Sequence, residues 1–115
     1  MTAPLQEPTF LILAALAETP LHGYGVIQEV AALSEGRVNL RPGTLYGALD
    51  RLVEQGLVAA EREEVVDGRL RRYYQLTEDG AGLLDAEARR LAGNAEIAAA
   101  RLRKRGRARR RLAHG

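Results

Sequence analysis

Three arginines within four residues, Arg69, Arg71 and Arg72, follow an Asp67-Gly68 dipeptide, while Arg41, Gly43, Thr44 and Tyr46 open the segment RPGTLYGALDRLVEQG. Guanidinium groups, hydroxyls and the free N–H groups of a helix start are the donors that phosphate oxygens accept from, so the chemistry of these two clusters is recognition of a polyanion. Covalent chemistry has little to draw on. Ser34 is the sole serine, cysteine is absent, and neither His22 nor His114 has neighbours that would make it part of a nucleophile or metal site. Glu61, Glu63 and Glu64 alternate faces on an extended run and read as a solvated edge that discourages aggregation, not as paired carboxylates. No enzymatic activity, cofactor or metal is expected.

Charge falls into two populations. The formal net charge is +2, yet residues 1–100 hold nine arginines against all 15 acidic residues, a net of −6, and residues 101–115 hold eight Lys or Arg and no acid. Six of those nine arginines (Arg37, Arg41, Arg51, Arg69, Arg71 and Arg72) belong to the two clusters or adjoin them. An acidic body that concentrates its cations in this way points to nucleic acid. The run RLRKRGRARRR, Arg101 to Arg111, supports two readings, a nucleic-acid- or anion-binding polyelectrolyte and a solvated, partly disordered end. Localisation reads as cytoplasmic with no membrane partner: the apolar run Phe10–Ala17 has no Lys or Arg before it, and it is far short of the roughly 20 residues that span a bilayer.

The elements that must position these residues follow from periodicity. With 115 residues, one Phe, four Tyr and no Trp, the chain can build one core, filled by Leu, Val and Ala. A first helix is predicted from near Thr9 to before Pro20, with Pro8 in its first turn; being apolar all round, it must be buried by two surfaces, one of which a second subunit can supply. HGYGVIQEVAALSEG predicts a second helix ending at Gly36. The third carries a buried stripe of Leu45, Leu49, Leu52 and Val53, leaves Arg41, Thr44, Tyr46, Ala48 and Arg51 to other faces, and stops at Gly56. Leu57–Val66 and Arg69–Leu76 are β-prone runs joined by Asp67-Gly68, a tight hairpin turn of type I′. Thr77 then caps a long helix whose positions Leu84, Ala88, Leu91, Ala95, Ala98 and Leu102 alternate steps of four and three, a seam for packing along another helix.

Three helices followed by a hairpin give a mainly α fold with a two-stranded β-wing: a winged helix-turn-helix over residues 5–76, a C-terminal dimerisation helix over 77–102 and a basic tail over 103–115. In that architecture the helix before the wing enters the major groove and the wing touches the backbone. The expected partners are double-stranded DNA carrying a roughly palindromic site and a second copy of the chain. Two alternatives stand beside it, an RNA-binding winged helix using the arginine-rich tail and a module whose wing faces another protein.

The stretches LHGYGVIQEV, RPGTLYGALDRLVEQGLV and DGRLRRYYQLTEDG resemble the PadR-like family of bacterial transcriptional regulators, in the short subfamily with a single C-terminal helix. The resemblance covers roughly residues 5–100, and its most specific parts are the G-T-L-Y core of the third helix and the exit from the wing at Arg72, Tyr74, Leu76 and Thr77. It implies a dimeric repressor whose last helix forms the subunit interface, released from DNA by a small hydrophobic or phenolic effector. The chain departs from the family at Gly47, where proline is usual, and in its tail. Residue by residue, the expected DNA contacts are Tyr24, Arg41, Gly43, Thr44, Tyr46, Arg51, Arg69, Arg71 and Arg72. For Arg51 an ion pair with Glu54 is the competing reading, and for Tyr24 and Tyr46 core packing. The expected interface residues are Phe10, Leu13, Leu84, Ala88, Leu91 and Ala95. His22 reads as a helix-start residue, and no ligand-binding residue is assigned.

Overall fold

The computed structural model of the chain describes residues 4–114. Its elements run α1 (Glu7–Ala15), β1 (Leu21–His22), α2 (Gly23–Leu33), α3 (Pro42–Glu54), β2 (Val58–Val66), β3 (Arg69–Leu76) and α4 (Glu78–His114). Two compact units divide after Asp85. Among the described residues no helix is long and apolar enough to cross a membrane.

Helix α1 begins two residues before Thr9, with Pro8 in its first turn and the Glu7 carboxylate at the positive end of the helix dipole. It ends at Ala15, short of the expected run to Pro20. Ile12 and Leu13 are fully buried in the chain's own core. Leu13 therefore has no surface to offer a second subunit, which corrects its assignment to the interface; Phe10 is half-buried and keeps an open face.

Helix α2 starts where His22 accepts the Gly25 N–H through Nδ1 at 3.0 Å, replacing a bond that the first helical turn lacks. At its other end the Ser34 hydroxyl donates to the Val30 carbonyl at 2.8 Å and accepts from the Val38 N–H at 2.9 Å. The chain's one serine thus closes a helix, buried among apolar neighbours.

In α3 the buried residues are Leu45, Ala48, Leu49 and Leu52. Ala48 replaces Val53, which is 39% exposed, on the core stripe. At 3.6 residues per turn, positions 48, 52, 45 and 49 cover about 100° of arc, and position 53 lies about 40° beyond them. Leu57 donates its N–H to the Leu52 carbonyl at 2.9 Å across Gly56, whose φ of 77° favours glycine, so the helix ends in a Schellman turn. Val58 and Tyr74 close the core from the sheet side.

The hairpin turns at Asp67 (φ 52°) and Gly68 (φ 77°), the two positive values that a type I′ turn requires. Its register pairs Val66 with Arg69, Glu64 with Arg71 and Glu63 with Arg72, then slips by one between Ala60 and Arg62. The hairpin also gains a third strand: β1 pairs antiparallel with β3, setting His22 opposite Tyr73.

Thr77 caps α4, accepting the Gly80 N–H at 3.0 Å while donating its hydroxyl to the Gly56 carbonyl at 2.7 Å. A side chain at position 80 would run into the Leu57 carbonyl, so only glycine lets this first turn sit against the start of β2. The helix does not give way to a tail at residue 103; it continues to His114. Arg, Lys, Ala and Leu are strong helix formers, cations in the last turns suit the helix dipole, and Gly106 alone interrupts the run at a cost of about 1 kcal/mol.

Candidate nucleic-acid interface

A cleft of about 350 Å³ opens between the start of α2, helix α3 and the wing. It brings together Tyr24, Tyr46, Arg69, Arg71 and Arg72 with His22. Tyr24 and Tyr46 are 61% and 45% exposed, so neither is the plain core aromatic that packing alone would make of it. The Tyr46 ring lies across Gly23: a Cβ there would stand 2.7 Å from the ring's Cζ and closer still to the hydroxyl. Glycine at position 23 therefore lets α3 lay its tyrosine, which lines the cleft, against the first turn of α2.

The three wing arginines are not equivalent. Arg72 donates to the Glu63 carboxylate through both Nε and Nη2, at 3.2 and 3.1 Å. That carboxylate holds the Arg72 guanidinium above its ordinary range. Arg71 stands with Nη1 3.3 Å from Nε2 of His22. Because Nδ1 of that ring accepts from Gly25, the neutral ring carries its proton on Nε2, and Arg71 finds no acceptor there. Burial first, and then the Arg71 charge, push the His22 imidazole below its ordinary range; Glu64 opposes them. Arg69, beside the turn, is exposed.

Three residues that shape this surface were not assigned to it from sequence. Arg62 lies 4.1 Å over the Tyr73 ring and binds Glu64 and Glu61. Tyr73 meets the His22 ring edge-on at 5.3 Å between centroids. Glu63, expected only to be solvated, holds Arg72. Counting outward from the two-residue turn places Glu63 opposite Arg72, and that signal was present in the sequence.

Arg41, Gly43 and Thr44 are exposed at the N-terminal end of α3. Arg51 lies elsewhere, on a groove of about 530 Å³ floored by Leu5, Leu52, Leu57 and Leu83, and the ion pair with Glu54 is not formed among the described residues. Arg37 is bound to Glu7 of α1 at 2.5 Å. In the helical unit beyond Asp85, Ala88, Leu91 and Ala95 are exposed, and Leu84, before the division, is half-buried. Among the described residues no cluster of potential metal ligands forms.

The profile of the transcriptional regulator PadR-like family matches residues 12–86. A protein of Streptomyces fradiae, an uncharacterised 37.1 kDa product of transposon TN4556, is 44% identical over 86 residues, 75% of this chain but 23% of that protein. The transcriptional regulator Rv3488 of Mycobacterium tuberculosis is 41% identical over 80 residues, 70% of this chain and 71% of its own length. Among solved structures, that of Bacillus subtilis PadR in complex with operator DNA superposes with a TM-score of 0.62 at 20% identity, covering 70% of this chain and 47% of that one, a likeness of fold. Matched by the family profile over most of its winged-helix unit, and by a regulator of nearly its own length, the chain belongs to the PadR-like family of transcriptional regulators.

Proposed function

We propose that the chain binds duplex DNA as a homodimer and represses transcription in the cytoplasm. The observation that carries this reading is the cleft in which Tyr24, Tyr46 and three wing arginines converge beside the open start of α3, on a body of net charge −6 over residues 1–100. Guanidinium groups and phenol hydroxyls gathered in one cleft suit backbone phosphates, while Arg41, Thr44 and Tyr46 lie at the start of α3, from which a recognition helix meets base edges. The Bacillus subtilis relative, solved on its operator, supports the same use of the fold here. Dimerisation is supported by the exposed seam of α4 and the open face of Phe10 on α1. Release by a small hydrophobic or phenolic effector completes the reading, and the Leu-floored groove beside Arg51 has the size and polarity for such a ligand.

Selection of bound duplex fragments from the source genome tests this directly. The expected product is a two-fold symmetric site with half-site centres about 34 Å apart, one turn of B-DNA. A chain that sediments as a monomer while binding DNA removes the dimer; equal affinity for duplex and hairpin RNA of the same length removes the DNA reading.

A further inference from the structure

We propose that the end of α4, residues 101–111, is a second DNA-binding surface that grips duplex phosphates without regard to sequence, deepening the DNA-binding reading and resting on it. Eight of these eleven residues are Lys or Arg, and all eight are exposed. Among the described residues one of them has an acidic partner, Arg103 on Glu96 at 3.0 Å. Helical spacing sets like charges one turn apart at Arg101 and Arg105, Arg103 and Arg107, and Arg107 and Arg111, each pair destabilising the helix that carries it. A polyanion laid along the segment would offset that repulsion. The densities match: eleven helical residues extend about 16 Å, close to one cation per 2 Å, against one phosphate per about 1.7 Å of duplex axis.

The distribution around the helix selects among polyanions. At about 100° per residue the cations leave a single sector of roughly 100° uncharged, and it holds Leu102, Gly106 and Ala113. A helix that lies in a bilayer surface needs a broad face of Leu, Phe or Trp, which one leucine does not provide. Cations on nearly every face suit a phosphate lattice approached from any side and give no register on base edges. The body they are attached to is acidic, so the segment also supplies the long-range attraction that the body lacks.

The test uses the full chain carrying Arg105→Gln, Arg107→Gln, Arg110→Gln and Arg111→Gln, since glutamine keeps the helix propensity, and reads affinity for a random-sequence duplex against salt. Each phosphate contact contributes about 0.9 to the slope of log affinity on log salt, so losing four contacts should flatten the slope by about 3.6 per subunit, with at least a tenfold loss at low salt. Lysine at the same four positions should restore both. An unchanged slope, a lysine variant no better than the glutamine one, or binding to phosphatidylserine vesicles or hairpin RNA in preference to the duplex overturns the proposal. A parallel variant with Arg69, Arg71 and Arg72 changed to Ala separates the two readings. If it binds duplex as well as the parent while the tail variant does not, the winged-helix interface fails and this surface stands.

Discussion

Up to Asp85 the chain encloses Ile12, Leu13, Leu45 and Leu49 completely, and its wing cations Arg62 and Arg72 lie on carboxylates of β2. From Ala86 onward Leu91, Ile97, Leu102 and Leu112 remain exposed, and the cations past residue 100 share one acidic partner among the described residues. The first unit holds within itself the apolar contacts and counter-charges that a fold needs. The second has good helix formers but, among its described residues, no buried apolar side chain, and in water helical propensity alone is marginal. Its two exposed surfaces, an apolar seam and a cationic end, are the ones proposed to meet a second subunit and a polyanion.

The contrast is broken most directly at its apolar positions. Leu49→Ala should lower stability by about 2–5 kcal/mol, the cost of a cavity in a closed core, and the fall should not depend on protein concentration. Leu91, 42% exposed, has no such core around it. Leu91→Ala should shift Tm only through dimerisation, by an amount that disappears on dilution. Leu91→Asp places an unpaired carboxylate in the proposed interface at a cost of about 2 kcal/mol or more per copy. Sedimentation should then show monomers whose winged-helix unit still melts cooperatively. A concentration-independent loss in Leu91→Ala would mean that the helix is stabilised from within its own chain.

The wing sharpens the same contrast at a smaller scale. Because Glu63 already holds Arg72, Arg69→Ala should weaken duplex binding more than Arg72→Ala, in each case for all sequences alike. Glu63→Gln frees Arg72 and should strengthen binding severalfold while steepening its salt dependence by up to about 0.9 per subunit. Equal effects of the two arginine variants, with no gain from Glu63→Gln, would show that DNA displaces the carboxylate at no cost.

How far these features could be read from sequence depended on the range over which each is determined. The Asp67-Gly68 turn, the Thr77 cap and the Gly56 stop are local, and each stands where residue type placed it. The stripe on α3 was legible to within one position, because Val53 and Ala48 flank the same face and only the packing decides which is covered. Strand β1 was not legible. Two residues carry no period, and they pair because β3 presents an open edge to them. Charge composition alone did not reveal that Arg72 is paired, although register counted from the turn sets Glu63 opposite it; the slip between Ala60 and Arg62, farther from the turn, has no marker in the residues. The continuation of α4 past residue 102 was left open between a binding polyelectrolyte and a partly disordered end, because charge density alone does not separate them, although the residue types favour helix throughout.

Gly47 offers a more modest test, directed at the recognition helix. A methyl group there would meet only Arg51 Nη1, at 3.6 Å. Gly47→Ala should therefore stabilise the unit by up to about 1 kcal/mol, seen as a rise of a few degrees in Tm. A fall instead would show that the flexibility at position 47 is used by the native helix.

The smallest effect belongs to His22, the residue that joins the fold to the cleft. Burial and Arg71 hold its imidazole below the ordinary value, with Glu64 in partial opposition and the Tyr24 and Tyr73 rings beside it. As pH falls through about 6.5 the unfolded chain takes up a proton that the folded chain refuses. The contribution of His22 to stability is thus fully present above that pH and declines below it, down to the folded value. His22→Asn keeps an acceptor for the Gly25 N–H but cannot titrate. The difference in Tm between parent and variant should therefore shrink or reverse from pH 7.5 to pH 5.5, with every carboxylate common to both. Duplex DNA should act against this loss, since a phosphate held by Arg71 favours the imidazolium beside it and raises its pKa. In the parent the pH dependence of Tm should flatten when duplex is added, and in His22→Asn the added duplex should leave it unaltered. A pH-independent Tm difference without DNA would show that His22 does not titrate differently in the fold, and an equal response of both proteins to duplex would place the bound phosphate away from the His22–Arg71 edge of the cleft.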